Sequence, residues 1–173
     1  MITNGTICLI TLEERHLEPM RQLRNSPETW HFLTSVVPIN ISRQKIWFEQ
    51  INQDGNRMYF AIEKKGIFVG YVRTDEWDKV NQSIRIGIDI VPKYRRRGIA
   101  TKVYDLLLNY LFNQLNIHRI WLLVADYNIP ALSLYEKLGF VKEGMQREAL
   151  FRDGKRHSYI MMSKLQNEYT DNK

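Results

Sequence analysis

The 173-residue chain has a single cysteine and five prolines, and no apolar run approaches the roughly 20 residues that a membrane span requires. Cys8 can form no internal disulfide, which fits a reducing cytoplasm, and inside an apolar stretch it reads as a small core residue. The opening Met1-Ile2-Thr3-Asn4-Gly5 is not a basic region followed by an apolar one, so no secretory signal is expected. No Cys, His and carboxylate cluster has zinc spacing, and no nucleophile is paired with a base. Neither a metal site nor an acyl-enzyme is therefore expected. Without repeats, low-complexity tracts or linkers, residues 1–165 read as one domain and 166–173 as a polar tail.

What is present suits a packed α/β domain. Hydrophobic residues make up 44%, including four Trp, nine Tyr and seven Phe, enough for a real core. The net charge of +6 comes from scattered residues, apart from Arg95 to Arg97 and a looser group from Arg147 to Arg156. Such scatter is a poor stripe for nucleic acid, and a smaller polyanion is served equally well.

Thr6 to Leu12 reads as a strand, followed from about Glu13 by a helix on which Leu17, Met20, Leu23 and Arg24 mark the facing positions. Ser26-Pro27 opens a short second helix to Leu33, and Ser42 is expected to cap a third on which Ile46, Trp47, Gln50 and Ile51 share a face. From Met58 the period is two, giving a hairpin of Met58–Glu63 with Ile67–Thr74, a polar connection over 75–82, and a strand Ser83–Ile90. A helix then runs to about Gln114, and Ile120–Ala125, apolar on both faces, reads as a mid-sheet strand. Asn128 caps a helix stopped by Gly139, and an antiparallel ribbon ends the domain. The pattern predicts one mixed sheet flanked by helices.

Between the strand at 83–90 and the next helix lies Val91-Pro92-Lys93-Tyr94-Arg95-Arg96-Arg97-Gly98-Ile99-Ala100-Thr101. A glycine turn at a helix start aims several backbone N–H groups and the positive end of the helix dipole at one point, which makes an anion site. It lacks the Lys-Ser/Thr ending of a nucleotide-hydrolysing loop and the three glycines of a dinucleotide fingerprint.

Arg95-x-x-Gly98-x-Ala100 resembles the coenzyme A loop of the GNAT superfamily of N-acetyltransferases. The run from Val124 to Phe140, with Asn128-x-x-Ala131 and Leu134-Tyr135-x-x-x-Gly139-Phe140, is similar to a second GNAT segment. Ile84–Pro92 looks like the family's splayed strand and Arg147–Met162 like its closing hairpin. Leu23-Arg24-Asn25-Ser26-Pro27 resembles branches that acetylate ribosomal-protein N-termini, polyamines or nucleotide-linked amino sugars.

The resemblance implies a mostly antiparallel sheet with one splayed parallel pair, and acetyl-CoA in the gap between strands 84–90 and 120–125. Backbone groups near Ile90 and Val91 would meet the pantetheine, and Arg95, Arg96, Arg97, Gly98, Ile99, Ala100 and Thr101 the pyrophosphate. An N–H near Ile90 would serve the carbonyl oxygen, and Tyr135 would be the acid for the departing thiolate. Asn128 would hydrogen-bond the coenzyme, while also reading as a plain N-cap. Tyr135 has a second reading as a core tyrosine. Many relatives carry glutamate where this chain has Arg85, so the base is open: Asp89, Glu76 or a relay of waters. Asp89 also reads as an ion-pair partner of Arg85. Arg24, Asn25, Trp30, Arg85 and His157 would border the acceptor; Trp30 reads equally as a core aromatic.

Arg24, Arg85, Arg147 and Arg152 would disfavour a polycation, which points to an amine attached to an anion, such as an amino sugar on a nucleoside diphosphate. A protein N-terminus or a polyamine is the alternative, and a coenzyme- or RNA-binding domain without chemistry stands third. No membrane or nucleic-acid partner is expected, and the oligomeric state stays open, a homodimer included.

Overall fold

A computed structural model describes residues 1–169. Eight strands form one sheet in the order β1-β2-β3-β4-β5-β6-β8-β7. They are β1 (Ile2–Thr3), β2 (Cys8–Thr11), β3 (Met58–Lys64), β4 (Ile67–Asp78), β5 (Ser83–Ile90), β6 (Arg119–Ala125), β7 (Val141–Arg152) and β8 (Lys155–Leu165). Five α-helices join them: α1 (Leu17–Asn25), α2 (Pro27–Trp30), α3 (Ile41–Gln53), α4 (Ile99–Asn109) and α5 (Ile129–Lys137). Every neighbouring pair is antiparallel except β5–β6, which is parallel and carries α4 as its crossover. This is the predicted mixed sheet with helices around it.

Strand alternation sorts the core into two layers. Ala61 and Tyr71 face Leu17, Met20 and Leu23 of α1 and Ile51 of α3. Their chain neighbours Ile62 and Val72 face the other way, into a cluster with Val103 and Leu107 of α4 and Tyr135 of α5. Val103, Leu107 and Leu111 recur every fourth residue and are fully buried, each contributing about 2 kcal/mol to holding the helix on the sheet.

Several boundaries differ from the sequence reading. Asn40, not Ser42, caps α3, its side chain accepting from the Arg43 N–H at 2.9 Å. Ile46, expected on the buried face of that helix, is 55% exposed, while Gln44 is buried beneath it. β4 continues through Asp75 to Asp78 where a connection was expected, and β7 is one long strand with two register shifts. α4 ends at Asn109 and passes into a π-turn over 110–114. The sequence reading missed β1, and of the expected polar tail Gln166–Glu168 form a single helical turn, while 170–173 lie outside the described residues.

The register between β5 and β6 positions the site. They pair only at Ser83–Arg119, Ile84–Ile120 and Arg85–Trp121. Beyond Arg85 the two strands part, β5 staying with β4 and β6 with β8.

Candidate active site

The gap is lined by backbone. Val91 N–H donates to Val69 O at 2.9 Å, which makes 69 and 91 a hydrogen-bonded pair across β4 and β5. Antiparallel pairing alternates, so Ile88 and Ile90 turn their peptide groups away from β4 and towards the gap. The Ile90 carbonyl accepts from Arg95 Nε at 2.8 Å, which leaves its N–H as the donor aimed into the opening. Val91 spends its own N–H on Val69.

At the wide end of the gap stands the arginine turn. Arg96 (φ 57°) and Gly98 (φ 70°) are left-handed, and Gly98 is the N-cap of α4 with no side chain capping the helix. The N–H groups of Ile99, Ala100 and Thr101 therefore emerge uncapped, and nothing lies within 4 Å of where a Cβ at 98 would stand. That open cradle of donors fits a pyrophosphate. Arg96 and Arg97 are exposed beside it. Arg95 is committed elsewhere: its guanidinium donates to Glu28 O at 2.9 Å and Thr29 Oγ1 at 2.8 Å, tying α2 to the end of β5.

Across the gap, Asn128 caps α5, its side chain accepting from Ala131 N–H at 3.3 Å. Tyr135 lies about two turns further on, 7% exposed, with its hydroxyl 2.9 Å from that of Tyr104 on α4. Burial pushes the Tyr135 phenol up, and the bond from Tyr104 pulls it back.

On the α1/α3 face of the sheet lies a cavity of about 680 Å³, lined among others by Arg24, Arg43, Arg57, Arg73 and Arg85 and by Asp75 and Glu76. Its floor includes Tyr71, Arg73 and Asp75 of β4 and Arg85 of β5; across the strands Asp75 faces Arg85, Arg73 faces Gly87 and Tyr71 faces Asp89, of which Gly87 and Asp89 are not among the lining residues. A Cβ at Gly87 would stand 2.8 Å from the Arg73 guanidinium that lies across it, so a side chain there would displace that guanidinium. Arg73 reaches Asp75 at 3.4 Å and Asp89 at 3.5 Å, and Arg85 reaches Asp75 at 2.5 Å and Glu76 at 2.7 Å. Asp89 thus pairs with Arg73 and not, as one sequence reading had it, with Arg85. Arg57 is held by Asp54 at 3.1 Å, and Arg43 has no carboxylate partner among the described residues. Among the described residues, Arg24 Nε and the Tyr71 hydroxyl are buried without a hydrogen-bond partner. Burial first, then the nearby Asp89 charge, raises the Tyr71 phenol, so it stays a neutral donor.

Of the residues expected around the acceptor, Arg24 and Arg85 line this cavity; Asn25, Trp30 and His157 are not among its lining residues. Asn25 is spent on the Ile39 backbone, accepting from its N–H at 2.9 Å and donating to its carbonyl at 2.8 Å. His157 packs on Tyr127 at 4.6 Å and sits 3.5 Å from Asp126. Arg152, counted among the acceptor-side charges, is buried and donates to the carbonyls of His31, Leu33 and Phe151, while Arg147 points to solvent from β7. Sequence reasoning missed Arg73, Asp75, Tyr71 and Tyr104. The first three carried a signal, since Tyr71, Arg73 and Asp75 alternate on the same face as Arg85, Gly87 and Asp89.

A splayed parallel pair, an uncapped arginine–glycine turn and a tyrosine across the gap are joined by a match over residues 6–141 to the model of the GNAT acetyltransferase domain. The chain is a GNAT acetyltransferase. It is 30% identical over 126 residues to the spermidine N(1)-acetyltransferase of Vibrio cholerae, covering 73% of each chain. It is 29% identical over 167 residues to a putative ribosomal N-acetyltransferase of Bacillus subtilis, covering 92% of this chain and 89% of that one. The crystal structure of the Vibrio cholerae spermidine enzyme with CoA and spermine superposes with a TM-score of 0.90 at 28% identity, over 95% of this chain and 98% of that one. As a GNAT enzyme the chain is an acyltransferase that takes its acetyl group from acetyl-CoA. The relatives with named acceptors match the polyamine and ribosomal-protein alternative rather than the nucleotide-linked amino sugar. No described helix is long and apolar enough to cross a membrane.

Proposed function

We propose that this enzyme acetylates, by direct attack of a primary amine, an acceptor that carries an anionic group elsewhere, an amino sugar on a nucleoside diphosphate being the fitting class. The observation that carries the reading is the charge of this cavity: its five arginines stand against Asp54, Asp75, Glu76 and Asp89, and Arg24 and Arg43 have no carboxylate partner among the described residues, with Arg85 where relatives commonly have glutamate. Spermidine is a polycation, and moving it beside these guanidiniums is opposed by Coulomb repulsion of order 1–4 kcal/mol per close pair. A second reading, polyamine or protein N-terminal acetylation, is favoured by the relatives named above.

In this reading the amides after Gly98 bind the pyrophosphate, with Asn128 as a further contact to the coenzyme. Ile90 N–H stabilises charge on the thioester carbonyl oxygen, and Tyr135 gives its proton to the departing thiolate. Asp89 takes the proton from the amine. It stands at the gap end of β5, held in place by Arg73. Glu76, the other candidate, is 53% exposed and tied to Arg85. Asp75, bracketed by two guanidiniums, is the poorest base of the three. Residues 1–165 act as one catalytic domain, working in the cytoplasm.

Release of coenzyme A thiol with a nucleotide-linked 4-amino sugar, a peptide panel and spermidine tests the acceptor. The anionic acceptor should give the highest kcat/KM; preference for spermidine overturns the charge argument and leaves the polyamine reading.

A further inference from the structure

Tyr104 is fully buried on α4, and its ring meets that of Tyr135 edge-on with centroids 5.6 Å apart. Phe140 closes on Tyr135 at 5.7 Å. Among the described residues each of the two hydroxyls has the other as its hydrogen-bond partner, at 2.9 Å. One proton must therefore lie between the oxygens and the other must point away from the pair. The charged groups that act on the two phenols are Asp89 of β5 and Arg73 of β4; their other surroundings are the apolar side chains of the large core.

Either hydroxyl can donate in this bond, and the part that Tyr135 plays in the reaction decides between them. Burial raises both, and Tyr104 is driven well above its ordinary value, first by burial and then by its neighbour Tyr135. For Tyr135 the bond from Tyr104 works against burial, because a donor favours the ionised form of the group it donates to. If Tyr135 is the acid, its proton must be the one that points out of the pair, which makes Tyr104 Oη the donor and Tyr135 Oη the acceptor of the 2.9 Å bond.

We infer that Tyr104 is a positioning residue for acetyl transfer. Its hydroxyl donates to Tyr135 Oη, turns the Tyr135 proton towards the leaving sulfur and stabilises the phenolate that remains. The inference rests on Tyr135 being the acid. In that step the Tyr135 O–H bond breaks, an S–H bond forms on the thiol, and the electron pair stays on Tyr135 Oη under the Tyr104 donor. The proton lost by the attacking amine restores the phenol, by way of Asp89 and solvent.

The test compares Tyr104→Phe, Tyr135→Phe and the double variant in acetyl transfer, alongside the pH titration of the Tyr135 phenol in the ligand-free enzyme by NMR of 13C-labelled tyrosine. Phenylalanine keeps the core filled, and thermal melting checks that each variant is folded. Tyr104→Phe should lower kcat about tenfold while leaving KM for acetyl-CoA unchanged. It should also move the Tyr135 titration, and with it the alkaline limb of the kcat profile, to higher pH, since the phenolate has lost its donor. In a Tyr135→Phe background, removing the Tyr104 hydroxyl should cost nothing more. Additive losses, or a Tyr135 titration unmoved by Tyr104→Phe, would overturn the inference. A Tyr135→Phe enzyme with full kcat would instead remove Tyr135 from the chemistry, and the inference with it.

Discussion

The two basic regions that flank β5 hold their charge in opposite ways. Beyond its end, the arginine–glycine turn leaves its donors uncommitted: Arg96, Arg97 and Gly98 are exposed, and the first N–H groups of α4 have no cap. Along its floor, the arginine-lined cavity ties Arg73 and Arg85 to three carboxylates and, among the described residues, leaves Arg24 and Arg43 without such partners. A polyphosphate brings its own charge to a ready set of amides. A paired floor instead sets a graded field that an acceptor must complement, so binding there is selective more than strong.

If Asp89 is the working group of that floor, Asp89→Asn separates the regions most sharply. It should lower kcat about 100-fold and leave the affinity for coenzyme A, measured by calorimetry, unchanged. A loss under threefold would assign the proton to a water relay. Gly98→Val attacks the opposite side. A β-branched residue resists φ near 70°, and its side chain fills the open cradle, so coenzyme affinity should fall roughly tenfold with acceptor KM unchanged. Unchanged coenzyme affinity would take the turn out of the binding site.

The contrast also explains what the sequence could and could not reveal. The turn is backbone chemistry between adjacent residues, so spacing alone located it, and Ser83–Ile90 was bounded correctly from its alternation. Asn128 was legible as an N-cap and is one, while Tyr135 stood out through the family resemblance alone. The ladder is a matter of register. Asp75 and Glu76 have poor strand propensity and read as a loop, yet Arg85 opposite draws β4 on to Asp78. No single-strand pattern announces that Arg73 lies across Gly87, or that Tyr104, one more residue of an apolar helix face, meets Tyr135. At α3 two residues could cap, and Asn40 took the position two places ahead of Ser42.

Arg85→Gln sharpens the comparison by changing the field without touching the gap. Removing this cation leaves Asp75 and Glu76 with one guanidinium fewer, so the kcat/KM ratio of spermidine to the anionic acceptor should rise about tenfold, equal to about 1.4 kcal/mol. A ratio that does not move would mean that the acceptor never meets this part of the floor.

The smallest effect is expected at Asn25, which shares the sequence neighbourhood of Arg24 but not its job. Its carboxamide holds the Ile39 peptide from both sides and so fixes the segment that leads into α3, one wall of the cavity. Asn25→Ala should therefore cost stability first: two neutral hydrogen bonds, together about 1–3 kcal/mol, which for a domain of this size lowers Tm by roughly 2–10 °C. The effect on kcat should be under threefold, because no reacting group rests on Asn25. A variant that melts like the parent but loses acceptor affinity would show that the carboxamide lets go of Ile39 when acceptor binds and contacts the acceptor itself. Asn25 would then belong with Arg24 on the selective side.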